Sequence, residues 1–250
     1  MRAIVGGVPV DTFTRKELAV RFKQAAMEVS EDVHVKPRLV FSMNGEGVYK
    51  YHKDKIFRSC IDKADIVHAD GMSIVKAGNK FTDAVFKERV ATTDLVHDIA
   101  RISEEGGFSV YLLGAKPDVV ERAASNLKKI YGRINIVGTH HGYFEDFSEE
   151  EEMVVNKILK AKPDIVFVGL GRPRQEAWCV RMQSRLTGVA WLKTCGGLFD
   201  FLSGDASRAP AWMINSGYEW LYRMLREPKR LFWRYLTTNI YSLYCFRFKK

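Results

Sequence analysis

The sequence predicts an α/β fold: a mostly parallel, Rossmann-like sheet with helices on both faces, followed by a helical, basic C-terminal appendage. Three observations predict it. Apolar runs of strand length recur up to about residue 200, stretches with helical spacing lie between them, and the composition changes after Phe201. Strands that are apolar throughout, rather than alternating, belong to sheets buried on both faces, and helices packed on a parallel sheet bury them in that way.

The strands, in order, are RLVFSM, ADIVHA, FSVYLLG, INIVGT, PDIVFVGL and GVAWLKT. Helical spacing covers Lys16–Val29, Asp94–Ser103, Asp118–Tyr131 and Glu149–Ala161. Pro117 and Ser148 suit helix starts, where proline loses no hydrogen bond and a serine hydroxyl accepts from an unpaired N–H. Gly106, Gly107 and Gly132 suit helix ends, because glycine accepts positive φ. A chain of 250 residues, 46% hydrophobic, is enough for one such domain with an appendage, placed here at 1–202 and 203–250. No uncharged apolar run is long enough to span a bilayer, and MRAIVGGVPVDTF lacks the apolar stretch of a secretion signal. Cys60, Cys179, Cys195 and Cys245 stand far apart without CxxC spacing. They are expected to be reduced, cytosolic thiols, and neither a metal site nor a cofactor is expected.

Charge divides the chain unevenly. The whole carries +9, yet nine basic and only three acidic residues fall between Phe201 and Lys250. There NSGYEWLYRMLREPKRLFWRYLTTN interleaves aromatics with arginines, and Pro228 divides the helical pattern in two. Two readings stand: basic amphipathic helices lying on an anionic membrane surface, or helices packed on the core with a solvated basic face. A nucleic-acid partner is not expected, since the charge sits in an amphipathic tail and no nucleic-acid motif is present.

Ligands of parallel sheets bind beyond the carboxyl ends of the strands. Four strand ends carry polar residues: SMNGE, HADG, GTHHGYF and GLGRPRQEAW. Asp70 in HADG suits a helix cap or a general base facing a cleft. Asn44 suits a capping turn or a contact to a sugar or base edge. His140 and His141 are polar loop residues or ligand contacts. The turn Gly169–Trp178 offers backbone N–H groups near a helix start, with Arg172 and Arg174, which together suit an anion. The GxGxxG of dinucleotide folds, the P-loop and the GxSxG elbow are all absent, which disfavours nicotinamide cofactors, NTPases and serine hydrolases.

Several blocks, in one order and over nearly the whole chain, resemble the WecG/TagA/CpsF glycosyltransferases: ADIVHADGMSIV, KERVATTDL, GTHHGYF, GLGRPRQEAW and CGGLFDFLSGDASRAPAWMINSGYEWLYRMLREPKRL. The resemblance implies a metal-independent, inverting transfer of a sugar from a UDP-sugar to a polyprenyl-diphosphate-linked sugar, in the making of bacterial cell-surface polysaccharide. The donors it implies are UDP-N-acetylmannosamine, its uronic acid or a UDP-hexose. It implies a cytoplasmic protein on the inner face of the membrane and is compatible with a homo-oligomer. A scaffold protein of a polysaccharide assembly complex is the rival reading. Carried over by motif, Asp70 matches the family's general base and Arg89 an arginine beside the active site. Ser42 stands where members often have threonine, and with Asn44, Gly171, Gln175 and His141 it falls to substrate binding. Arg223, Arg230 and Arg234 match arginines of the C-terminal appendage. The chain departs from the pattern in having Thr92 for a usual glycine and Trp233-Arg234 for a doubled arginine.

Overall fold

The computed structural model describes residues 1–249. A hairpin opens the chain: β1 (Arg2–Val5) and β2 (Val8–Asp11) pair antiparallel through Gly6 and Gly7, at φ +60° and +78°. Two consecutive positive φ values make the tight turn that matches strand twist, and glycine reaches them without strain. Next come α1 (Arg15–Glu31), β3 (Arg38–Met43), α2 (Gly45–Lys53), α3 (Lys55–Asp62) and β4 (Ile66–Ala69). The chain continues through α4 (Met72–Phe81), α5 (Thr92–Gly106), β5 (Ser109–Gly114), α6 (Pro117–Ile130), β6 (Asn135–His140) and α7 (Glu149–Ala161). It ends with β7 (Ile165–Gly169), α8 (Arg174–Met182), β8 (Trp191–Thr194), α9 (Leu198–Ser203), α10 (Ala211–Ser216), α11 (Glu219–Arg226) and α12 (Pro228–Phe248).

Local chemistry sets the helix ends. Thr14 and Glu17 form a reciprocal capping box on α1, and the hydroxyl of Ser148 accepts from Glu151 N at the start of α7. Pro117 opens α6, and Gly107 closes α5 at φ +73°. Pro228 separates α11 from α12, as the sequence predicts.

The eight strands form one sheet in the order β1-β2-β4-β3-β8-β7-β5-β6, parallel except for the opening hairpin. The α/β fold is therefore as predicted, with the hairpin added at one edge. Asp11 anchors that hairpin: its carboxylate takes Arg2 on one side and accepts from Val67 N of β4 at 2.8 Å. Successive residues of β3, β5, β7 and β8 enter opposite cores. Leu39 and Phe41 face Phe57 of α3 and Trp178 of α8, while Val40 faces the side of Phe22 of α1 and Leu95 of α5. Phe22 packs edge-on against Trp191 at 5.4 Å.

Residues beyond 203 return to the sheet. α12 runs along α2, Leu231 is fully buried, and Cys245 and Phe246 join the first core. A Cβ at Gly6 would meet the Phe246 ring at 2.9 Å, so the hairpin turn and the end of α12 are in direct contact. Among the described residues, no helix is long and apolar enough to cross a membrane.

Phe246→Ala removes the ring that seats α12 beneath the hairpin. The expected loss is about 3 kcal/mol, read as a lower denaturant midpoint at unchanged slope. A midpoint equal to the parent's would show that α12 is not held there.

Candidate active site

A cleft of about 980 Å³ lies beyond the carboxyl ends of β3, β4, β7 and β8, roofed by α11 and α12. The ends of β3 and β4 meet at its floor. Asp70 N and Gly71 N both donate to Met43 O, at 2.9 and 3.1 Å. A Cβ on Gly71 would come within 2.9 Å of Asn44 Cβ, so only glycine lets the two turns approach this closely.

Asp70 does not cap its own helix. The N-cap of α4 is Gly71, with no side-chain cap bond. Asp70 Oδ1 instead accepts from Thr92 N, 2.7 Å away, in the first turn of α5. The side chain is thus fixed across the floor while lining the cleft. Burial pushes its carboxyl up, but the Thr92 N–H, Arg172 and Lys193 outweigh that and hold it below the ordinary carboxylate value.

Two of those neighbours lie inside strands. Lys193, on β8, is fully buried, and its Nζ donates to Thr194 O and lies 3.4 Å from Thr92 Oγ1. Burial lowers its pKa to about 8, against the pull of Asp70. His68, on β4, is equally buried, and burial together with Lys193 brings it down to about 3, so its ring is neutral at physiological pH.

Arg172 locks the end of β3. Its Nη1 donates to Asn44 Oδ1 at 2.8 Å, and its Nη2 donates to Ser42 O at 2.6 Å and Ser42 Oγ at 3.0 Å. Its Nε faces Glu176 at 3.5 Å, a carboxylate with no solvent exposure whose pKa burial raises. Asn44 also accepts from Gly47 N at 3.0 Å, so it caps α2 as well as lining the cleft.

The roof is fastened by charge. Arg89 Nη1 meets Glu219 Oε2 of α11 at 2.7 Å, and Arg208 pairs with Asp94. Arg223 lines the cleft with its guanidinium over Phe201, and Arg234 lines it near Glu46, at 3.9 Å.

A second cavity, about 820 Å³, opens beyond β5 and β7 and meets the cleft at Gly171, which lines both. Its wall carries Gly142, Tyr143, Phe144 and Arg174. Arg174 is committed there, donating to Gly142 O, Phe144 O and Asp146.

The model of the glycosyl transferase WecG/TagA/CpsF family matches residues 3–250. The chain belongs to that family. A relative in Bacillus subtilis (strain 168), an N-acetylglucosaminyldiphosphoundecaprenol N-acetyl-beta-D-mannosaminyltransferase, is 30% identical over 192 residues, covering 77% of this chain and 73% of its own length. The chain is accordingly a glycosyltransferase.

Within this family member, the residues singled out by motif divide into two groups. Ser42, Asn44, Asp70, Arg89, Gly171, Arg223 and Arg234 share the cleft. Gln175 and His141 are not brought to it. Gln175 is buried behind the wall, where Oε1 accepts from Gly196 N at 3.1 Å and Nε2 donates to Glu176. It therefore joins the GLGRPRQ and CGG turns to each other. His141 sits past β6, with Nε2 3.5 Å from Glu150. Arg230 lies in α12, and its side chain is outside the described residues. Sequence reasoning missed His68, Glu176 and Lys193. A lone polar residue inside VHA or WLKT was the only signal for the two in strands.

Arg172→Met strips Ser42 and Asn44 of their clamp and leaves Glu176 buried without its cation. A loss of about 3–5 kcal/mol is expected on chemical denaturation. Adding Glu176→Gln should recover part of it, because the two changes share one interaction. Purely additive losses would show that the pair is not coupled.

Proposed function

We propose that this chain transfers a sugar, with inversion and without a metal ion, from a UDP-sugar to a polyprenyl-diphosphate-linked sugar, with Asp70 as general base. The observation that carries the reading is the Asp70 carboxylate: on the cleft floor, positioned by Thr92 N and kept ionised by cations behind it. The acceptor hydroxyl gives its proton to Asp70 as its oxygen attacks the anomeric carbon from the face opposite the leaving group. The C–O bond to the nucleoside diphosphate breaks in the same step, and attack from the opposite face inverts the centre. The leaving diphosphate needs donors, and Arg223 and Arg234 on the roof are suited to it, since a guanidinium stays charged and binds phosphate with two parallel N–H groups. The name of the Bacillus subtilis relative favours UDP-N-acetylmannosamine as donor and N-acetylglucosaminyl-diphosphoundecaprenol as acceptor.

The roof also suits a lipid-linked substrate. Trp233, Leu236, Ile240 and Leu243 recur at three- and four-residue steps along α12, all exposed, and the last two reach the cleft rim. An exposed apolar stripe of this size marks an interaction surface. Flanked by basic residues, it supports docking of residues 203–250 on the anionic inner face of the membrane, where the acceptor's prenyl chain lies.

The deciding experiment incubates the protein with a panel of UDP-sugars and a short-chain prenyl-diphosphate-sugar acceptor in EDTA. Transfer from one UDP-sugar is expected, and Asp70→Asn should lower kcat by about 10²–10⁴-fold with an unchanged melting curve. Transfer that requires added Mg²⁺ or Mn²⁺, or an Asp70→Asn enzyme of near-parental rate, would sink the mechanism.

The pH profile gives an independent check. With its pKa held low, Asp70 is a base throughout the neutral range, and activity is lost only as pH falls through that value. Lys193→Met removes one of the charges that hold it down, so Asp70 should bind a proton at higher pH. The acid limb of kcat/KM is expected to move up by roughly one unit, with Arg172 and the neutral His68 left in place. A limb that stays put would show that Lys193 does not act on the base.

A further inference from the structure

Far from the cleft floor, the end of β6 gathers a donor set that the transfer reaction does not use. His140, His141 and Glu150 each offer one ligand atom, and the three atoms lie within 4.8 Å of one another. The two imidazoles come from consecutive residues at the strand end, and the carboxylate from the first turn of α7, across the loop 142–148. The rings are 4.4 Å apart and tilted by 43°, so they stand side by side.

Hydrogen bonding sets the ring nitrogens. His140 Nδ1 lies 2.9 Å from His141 O. A carbonyl only accepts, so Nδ1 carries the proton and Nε2 keeps its lone pair, the arrangement that holds a ligating histidine in the right tautomer. His141 Nδ1 accepts from Tyr143 N at 3.3 Å, which directs Nε2 at Glu150 Oε1, 3.5 Å away. The two acids that follow Glu150 are engaged elsewhere: Glu151 with Arg181 and Phe147 N, and Glu152 with Arg185. Glu150 is the one turned to the imidazoles.

We propose that His140, His141 and Glu150 bind a divalent transition ion of the zinc class. Two imidazole nitrogens and one carboxylate are a zinc donor set that leaves a fourth position for solvent or a solute. Nitrogen donors select zinc, cobalt or nickel over magnesium and calcium, which prefer oxygen. The three residues are half-exposed, so an ion reaches them directly. Binding draws the donor atoms to about 2.0–2.2 Å from the ion. The proton on His141 Nε2 moves to Nδ1, and the long contact from Tyr143 N opens.

The bound ion ties the end of β6 to the start of α7. The loop between them carries Tyr143, Phe144 and Glu145, which line the second cavity, so occupancy stiffens that wall. Five strand spacings separate β6 from β4 in the sheet order. At about 4.8 Å each, that puts the ion roughly 24 Å from the strand that carries Asp70. It is therefore a clamp, independent of the proton transfer.

The test uses the full chain, stripped by chelator and dialysed against ZnCl₂ or MgCl₂, with bound metal counted by plasma emission. One zinc per chain and no magnesium are expected, with a raised melting temperature in zinc alone. His141→Ala and Glu150→Gln should each abolish the zinc and its thermal shift. Cobalt on the parental chain supplies a measurement that needs no variant: ligand-field bands without thiolate charge transfer are expected. A parental chain that holds no zinc, variants that hold it as well as the parent, or a thiolate–cobalt band would overturn the proposal.

Discussion

The site depends on one buried guanidinium. Arg172 stands where β7 gives way to α8, yet three of its bonds reach back to the end of β3, at Ser42 and Asn44. β7 and β3 are not neighbours, because β8 runs between them. The guanidinium therefore bridges over a strand end and fixes the cleft floor from above. A lysine would give a point charge with no planar fork, and would not serve these three acceptors and Glu176 in one orientation. Glu176 makes this tolerable: an unpaired cation at this depth would be strongly unfavourable, and the carboxylate 3.5 Å away offsets it.

Charge balance extends this from geometry to chemistry. Around the floor, Asp70 and Glu176 are anions, Arg172 and Lys193 are cations, and His68 is neutral. Each carboxylate has a different fate. Glu176 lies beneath the wall, where burial dominates and raises its pKa, while Asp70 opens to the cleft and its cationic surroundings lower it. Two acids in one network are thereby set apart, the inner one to hold an arginine and the outer one to meet substrate.

Much of the fold was legible because parallel strands buried on both faces leave continuous apolar runs, and RLVFSM through GVAWLKT each became a strand. The hairpin was not legible: RAIV and VPVD are four residues each, too short for a pattern to stand out. Within the site, strand-end position and motif located Ser42, Asn44, Asp70 and Arg89. Neither revealed orientation. Gln175 and Asp70 look alike as polar residues after a strand, but Gln175 is the second residue of α8 and faces inward, and Asp70 stands in an open turn. Lys193 and His68 escaped because a strand interior gives no clue that a polar side chain there points at the same floor as a residue on a neighbouring strand. Glu150 escaped for a different reason. It is nine residues from His141, and only the turn into α7 brings them together.

The appendage shows how two sequence readings can share one helix. Leu231, Thr238, Ser242 and Cys245 form the buried side of α12, while Trp233, Leu236, Ile240 and Leu243 form an exposed one. The buried side includes the hydroxyls of Thr238 and Ser242 while the exposed side is apolar, so a simple division into an apolar inner and a polar outer face fails. Packing on the core and offering an apolar stripe outward are therefore compatible, and the first makes the second useful. A stripe on a mobile tail would lose orientation on reaching a surface, whereas one seated by Leu231 and Phe246 keeps a fixed relation to the cleft rim. Arg89 completes the arrangement, since its ion pair with Glu219 ties α11 to the turn that precedes α5 and hence to the Thr92 N–H that holds Asp70. The roof and the floor are in this way joined through two contacts, an ion pair at one end and a helix N-terminus at the other.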